Sequence, residues 1–169
     1  MTRVLLQPAG GPEAVRHYTH TIRNGTPLTE IKRFLKPEEL TELQGLYSDG
    51  IARIWGLTPG HANRNATKWQ RLEHGDVVLF AGGGQLFASA FLKHKTHNRE
   101  LAIALWGSDP DGSTWEYVYF VSAPRSRRIP YVRLADILGF SRDFVVLGAM
   151  LLSEEKSAKV LEAFQLVDD

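Results

Sequence analysis

Apolar residues open the chain as a block, Val4-Leu5-Leu6, that Pro8 cuts off, and this predicts a short strand over 4–8. From Pro12 the pattern changes. PEAVRHYTHTI (12–22) spaces its apolar residues along one helical face and places Pro12 at the first helical position. Asn24-Gly25 and Pro27 break it, and LTEIKRFL and PEELTELQGLY (28–47) predict two further short helices. These segments form a helical insertion over about residues 12–47.

Beyond residue 50 the pattern turns strand-rich. ARIWGL (52–57) predicts a strand and ANRNATKWQRL (62–72) a helix. GDVVLFAGGGQLFASAFLK (75–93) predicts a hairpin, two β-rich runs joined through Gly82, Gly83 and Gly84. NRELAIAL (98–105) predicts a helix and SDPDGST (108–114) a loop. WEYVYFVS (115–122) alternates strictly, with Trp115, Tyr117, Tyr119 and Val121 on one face and Glu116, Val118 and Phe120 on the other. IPYVRLADILG (129–139) predicts a helix, FVVLGAMLL (144–152) a strand, and SEEKSAKVLEAF (153–164) a helix capped by Ser153. The spacing is too irregular for a doubly wound sheet. The expected class is α+β: about six strands in a small, strongly bent mixed sheet or barrel with flanking helices, as a single domain over residues 1–169.

Composition narrows the picture. The length of 169 residues suits one domain with its own core, and 43% apolar with 23% charged residues is ordinary for a soluble protein. No apolar run approaches the roughly 20 residues of a membrane helix, and nothing resembles a signal peptide. With no cysteine there is no disulfide framework and no thiolate zinc site, so the expected location is cytoplasmic. Charge is unevenly spread: residues 51–133 hold eleven basic and six acidic side chains, whereas residues 134–169 hold three and seven.

Candidate catalytic chemistry is sparse. His17 and His20 stand three apart on a predicted helix, without a neighbouring carboxylate in a ligand-like pattern, and read as surface or partly buried histidines. His61 and HKTH (94–97) read as solvated loop residues. SDPDG lacks the downstream bidentate glutamate of a calcium loop at the right spacing, and AGGGQ lies between two strands and lacks the Lys-Ser/Thr of a phosphate loop. There is no G-x-S-x-G and no cysteine nucleophile. No catalytic residue, metal or cofactor is expected.

Binding chemistry is better represented. Trp55 and Trp106 each precede a glycine at the end of a predicted element, so each ring is expected to stand clear of its neighbours and stack on a planar base. Basic residues accumulate in the same half: Arg53, Arg64, Lys68, Arg71, Lys93, Lys95, Arg99, Arg125, Arg127 and Arg128. Cations near aromatic platforms are the footprint of nucleic-acid binding. The alternative is that Trp69, Trp106 and Trp115 are core residues and the arginines ordinary surface.

W-G-L-T-P-G (55–60), an Asn-containing helix, G-D-V-V-L-F (75–80), L-W-G (105–107), W-E-Y-V-Y-F (115–120) and I-P-Y (129–131) together resemble the EVE-like branch of the PUA-like superfamily. Within that branch the chain resembles the modified-DNA-reading modules of HNH-linked restriction endonucleases and, more distantly, those of McrB-type restriction enzymes; YTH domains share the architecture. The resemblance covers most of the chain and is strongest over residues 51–131. It implies a small bent barrel whose pocket takes a flipped, modified base. Trp55 would open an aromatic cage, with Trp106 or its rival Trp115 as second wall, and Gly56, Leu57, Thr58 and Asn63 beside the base. The Thr58–Asn65 segment would also start a helix whose N-terminal amides meet phosphate. Arg53, Arg64, Lys68, Lys93, Lys95, Arg125, Arg127 and Arg128 would meet the backbone. The chain departs from the pattern at AGGG, where many relatives carry a tyrosine-histidine turn, and at Leu147-Gly148-Ala149, where relatives often carry Gln-Gly-Phe.

The implied partner is double-stranded DNA carrying 5-methylcytosine or 5-hydroxymethylcytosine. No nuclease motif is present, so the chain is expected to bind and not to cut, with a nuclease domain or subunit supplied from elsewhere. The competing readings are an N6-methyladenine reader of DNA or RNA, and a small-ligand or enzymatic domain on the same fold.

Overall fold

The computed structural model describes residues 1–167; Asp168 and Asp169 lie outside the described residues. In chain order the elements are β1 (Val4–Pro8), α1 (Pro12–Tyr18) running into a π-helical turn (Thr19–Arg23), β2 (Thr26–Pro27), α2 (Leu28–Ile31) and α3 (Pro37–Leu46). Then come β3 (Ile51–Leu57), α4 (Arg64–Arg71), β4 (Val77–Gly82), β5 (Gln85–His97), α5 (Arg99–Trp106) and β6 (Tyr117–Val121). The chain closes with β7 (Arg125–Pro130), α6 (Tyr131–Leu138), β8 (Met150–Leu151) and α7 (Glu154–Ala163). These elements form two compact units of mixed α and β structure. Unit 1 takes residues 1–15, 72–92 and 124 onward; unit 2 takes residues 16–71 and 93–123.

In unit 1, β1 lies between β4, its parallel partner from Val4↔Val77 to Pro8↔Ala81, and β8, its antiparallel partner. A strand flanked on both edges and covered on its face has no solvent side, which is why Val4, Leu5 and Leu6 are all fully buried. Val4, Leu6, Val77 and Leu79 pack against Leu134 of α6 and Val160 of α7. The hairpin between β4 and β5 turns at Gly83 and Gly84, whose φ angles of 64° and 77° suit residues without a Cβ. Two buried polar side chains tie the unit together. Ser157 Oγ accepts from Val4 N at 3.0 Å, and the Asp76 carboxylate accepts from Arg3 N at 2.9 Å and Glu73 N at 2.8 Å. Asp76→Ala strands both amides; because the two donors are only part-buried and regain some water, the expected cost is about 2 kcal/mol, read from urea unfolding.

Unit 2 has the strand order β2-β3-β6-β5. The antiparallel ladder pairs Arg53↔Val121, Ile54↔Phe120, Trp55↔Tyr119, Gly56↔Val118 and Leu57↔Tyr117. Ile54, Val118 and Phe120 face a core that includes Leu43 of α3 and Leu101 of α5. The π-helical turn is fastened to β3 by Thr21, whose hydroxyl donates to Ile54 O at 2.6 Å. Tyr47 reaches across to donate to Val121 O at 2.6 Å, and burial pushes its phenol pKa well up.

Several expectations need correction. Neither unit closes its strands into a barrel: among the described residues β8 pairs with β1 alone and β2 with β3 alone. The strand expected over 144–152 shrinks to Met150–Leu151, since only Leu5 and Leu6 of β1 take partners there, and Val145 and Leu147 are left exposed. APRSRR contributes a strand the pattern hid, because among the described residues β7 pairs along one edge only and carries the charges that edges tolerate. The strand over 115–122 begins at Tyr117, with both of its faces buried from Val118 to Val121. HKTH is the end of β5 and not a solvated loop: His94 Nε2 lies 2.8 Å from Glu39 Oε2.

Candidate nucleic-acid interface

β3 runs through Trp55 and Gly56 to Leu57, and the aromatic side chains gather at its end. Trp55 does not stand clear: it is 1% exposed, and Trp106 is 8% exposed. Its ring lies 4.9 Å from Trp115, 6.4 Å from Trp106 and 6.1 Å from Tyr18, centroid to centroid, and Trp106 lies 5.2 Å from Trp115. His17 meets the Trp115 ring edge-on at 5.2 Å. Gly56 is what lets these rings converge. A Cβ there would sit 2.4 Å from the Trp115 carbonyl oxygen and 3.0 Å from both Trp106 Cζ3 and Trp115 Cβ.

The three indoles therefore form a nest, and it is closed. Sandwiching a planar base needs walls roughly 7 Å apart, twice the ~3.5 Å contact distance of stacked atoms, and the tilted Trp55–Trp115 pair at 4.9 Å leaves no such gap. Trp115 is the least buried of the three and sits on the 107–116 connection between α5 and β6. Beside it Thr114, 2% exposed, donates its hydroxyl to Gly107 O at 2.7 Å. Trp106 Nε1 is buried with no hydrogen-bond partner among the described residues. An indole N–H shut away from water without an acceptor costs about 1–3 kcal/mol, so the nest holds one unsatisfied donor. Tyr18 at its edge has a pKa pushed up to about 12 by burial, against the pull of Arg23 and Arg53, and stays a neutral phenol at physiological pH.

Of the other residues expected at the base, Leu57 is buried beside the nest in β3, and Thr58 follows it. Asn63 is exposed, in a left-handed conformation (φ 58°) just after Ala62 (φ 53°). The amides at the start of α4 are not open to phosphate as expected: Asn65 N and Ala66 N both donate to Pro59 O. The basic residues divide. Arg53 is spent inside the fold, its Nη1 donating to the carbonyls of Ile22 and Arg23. Lys95 donates to Trp69 O and Gln70 O, both at 2.9 Å, and covers the Trp69 ring. Arg64 and Lys68 lie on α4, where burial and the Arg64 charge lower the Lys68 pKa. Lys93 belongs to β5 of unit 2, and Arg125, Arg127 and Arg128 to β7 of unit 1.

His17 and Tyr18 complete the nest unannounced by the sequence, where the 12–22 periodicity carries no mark of which face meets the indoles. Among the described residues no three histidine or acidic side chains converge as metal ligands, and no helix is long and apolar enough to cross a membrane.

No family model matches the chain, and no curated protein matches it in sequence. Among solved structures, the N-terminal domain of Thermococcus gammatolerans McrB, bound to m5C DNA, aligns with it at a TM-score of 0.67 and 14% identity, over 97% of this chain and 98% of that one. The chain has the fold of that McrB domain. The likeness to McrB-type reading modules drawn from the W-G-L-T-P-G and W-E-Y-V-Y-F stretches is thus borne out in architecture, at an identity where most residues differ. Because the alignment takes in nearly the whole of this chain, it includes both units.

Proposed function

We propose that this protein binds DNA and reads a modified base flipped into the Trp55–Trp106–Trp115 nest, with 5-methylcytosine or 5-hydroxymethylcytosine the favoured base. What carries the reading is the convergence of three indoles at Gly56, one of which, Trp106, holds a buried N–H without a partner among the described residues. The McrB domain's m5C DNA supports DNA as partner and cytosine as base. Extruding a base costs a few kcal/mol. Stacking on indoles returns roughly 1–3 kcal/mol, and a base carbonyl or ring nitrogen accepting from Trp106 Nε1 removes a penalty the free protein already bears. In this mechanism Trp115 swings aside on the 107–116 connection, the base enters against Trp55, and a cytosine 5-substituent fills apolar space that a bare C5 leaves empty. The chain then serves as the specificity module of a modification-dependent restriction system, and a nuclease domain or subunit does the cutting.

The test is fluorescence anisotropy with one short duplex in unmodified, 5-methylcytosine, 5-hydroxymethylcytosine and N6-methyladenine forms, and with the matching RNA. A preference of tenfold or more for a modified cytosine, about 1.4 kcal/mol, is expected. Preference for methyladenine or for RNA would reassign the base or the nucleic acid, and equal binding to all five would remove the reader altogether.

Trp106→Phe separates packing from recognition. The substitution deletes the orphaned donor and keeps an aromatic ring, so its stability cost is expected to fall about 1–2 kcal/mol below that of Trp69→Phe, which breaks a 2.9 Å bond from Nε1 to Val118 O. Affinity for the modified duplex is expected to drop about tenfold all the same, the usual order for one lost hydrogen bond at a base edge. Chemical denaturation and anisotropy on the two variants decide it.

A further inference from the structure

Outside the nest, unit 1 carries a concavity whose lining is strongly one-sided in charge. It measures about 310 Å³ and lies where β7, the start of α6 and the end of α7 meet, with Arg127, Arg128 and Arg133 on its walls and no carboxylate among the described residues that line it. Among the described residues no acidic side chain pairs with any of these three guanidinium groups. Two of them are held in place. Arg127 donates through Nε to Ser89 Oγ at 2.9 Å, which orients its plane and leaves the two terminal nitrogens as an open fork. The Arg133 guanidinium lies over the Phe164 ring, its Cζ 4.9 Å from the ring centroid.

The far wall is built with care for position. Gln165 adopts a left-handed φ of 52°, so the chain turns sharply after α7 and both Phe164 and Leu166 reach the interior. Gln165 is left at the rim of the cavity as a neutral polar side chain. Arg128 and Arg133 are exposed, so the cavity is open along one side.

We infer that this cavity is a phosphate-binding site, occupied by a backbone phosphate of the bound DNA. Positive groups gathered with no counter-charge among the described residues repel one another until an anion joins them. A phosphate oxygen pair matches the fork of a guanidinium, and the Arg127 fork already oriented by Ser89, with Arg133 held against Phe164, loses little freedom on binding. The open side suits a continuous strand, not a small ligand to be enclosed. The inference rests on the DNA-binding reading, and not on the base that is read. It makes Arg133 and Arg128 contributors to affinity alone.

The decisive experiment measures binding of Arg133→Ala and Arg128→Ala to unmodified and modified duplex over a range of salt concentrations. Each variant is expected to reduce the slope of log K against log salt by about one, and to weaken both duplexes by the same factor, about tenfold at low salt, leaving their ratio unchanged. Neither side chain is buried, so the thermal transition is expected to stay at the wild-type position in Arg128→Ala and to fall by no more than a few degrees in Arg133→Ala, which gives up the contact with Phe164. An unchanged slope in both variants overturns the site. If the slope falls while the wild type shows no preference for modification, the pocket stands and the base-reading proposal falls. Arginine side-chain NMR identifies the anion's source. The Arg127 and Arg133 Nε–H signals should shift on adding the duplex; a shift with inorganic phosphate alone would assign the site to free phosphate and overturn the DNA contact.

Discussion

Gly56→Ala is expected to cost about 3 kcal/mol and to disable base reading, although it adds a single methyl group. Overpacking usually costs about 1–3 kcal/mol, and the upper end applies here because the nearest obstacle is backbone. The new Cβ would stand 2.4 Å from the Trp115 carbonyl oxygen, which no rotamer change relieves, with Trp106 Cζ3 and Trp115 Cβ each at 3.0 Å. The 107–116 connection must therefore retreat from β3 and take the Trp115 ring with it. Urea unfolding should show the lost stability, and tryptophan emission should shift to the red as Trp115 gains water. Affinity for unmodified DNA should change far less than affinity for the modified duplex. A variant with wild-type stability and emission would mean that β3 and the Trp115 segment do not meet as described.

The same glycine shows how far the sequence could be read. A tryptophan followed by Gly56 and then Pro59 and Gly60 marks a place where a ring and a bare backbone matter. The pattern cannot say whether the glycine frees the ring or admits another one. That depends on Trp115 arriving from a distant part of the chain, information held in tertiary packing alone. Elements were legible where period and punctuation agreed. β1 ends at its proline, the β4–β5 hairpin turns on its glycines, and α7 starts at Ser153, whose hydroxyl accepts from Lys156 N at 3.2 Å. They were illegible where neighbours decide: β8 exists only as far as β1 offers partners, and β7 is an edge strand written in arginines. The basic residues could be counted but not sorted. Whether Arg53 faces solvent or caps the carbonyls of Ile22 and Arg23 depends on where the π-helical turn lies against β3.

Trp55→Ala is expected to be the costliest single substitution in the nest, about 4 kcal/mol, as for other fully buried large aromatics cut back to alanine. That is a large part of the 5–15 kcal/mol by which domains of this kind hold together, so a weaker-binding Trp55→Ala protein proves nothing by itself. Unfolded molecules bind neither duplex, and their presence lowers both apparent affinities by one factor. The ratio of modified to unmodified affinity is free of that factor. Measured at a temperature where the variant stays folded, the ratio should collapse towards one in Trp55→Ala. In Asp76→Ala, whose lost bonds run to the backbone of Arg3 and Glu73, it should keep its wild-type value despite the lower stability. Trp55→Phe should fall between them, since a phenyl ring restores part of the stacking surface and part of the contact with Trp115. If folded Trp55→Ala keeps the wild-type ratio, the base is read elsewhere, and the indoles around Gly56 are core packing and nothing more.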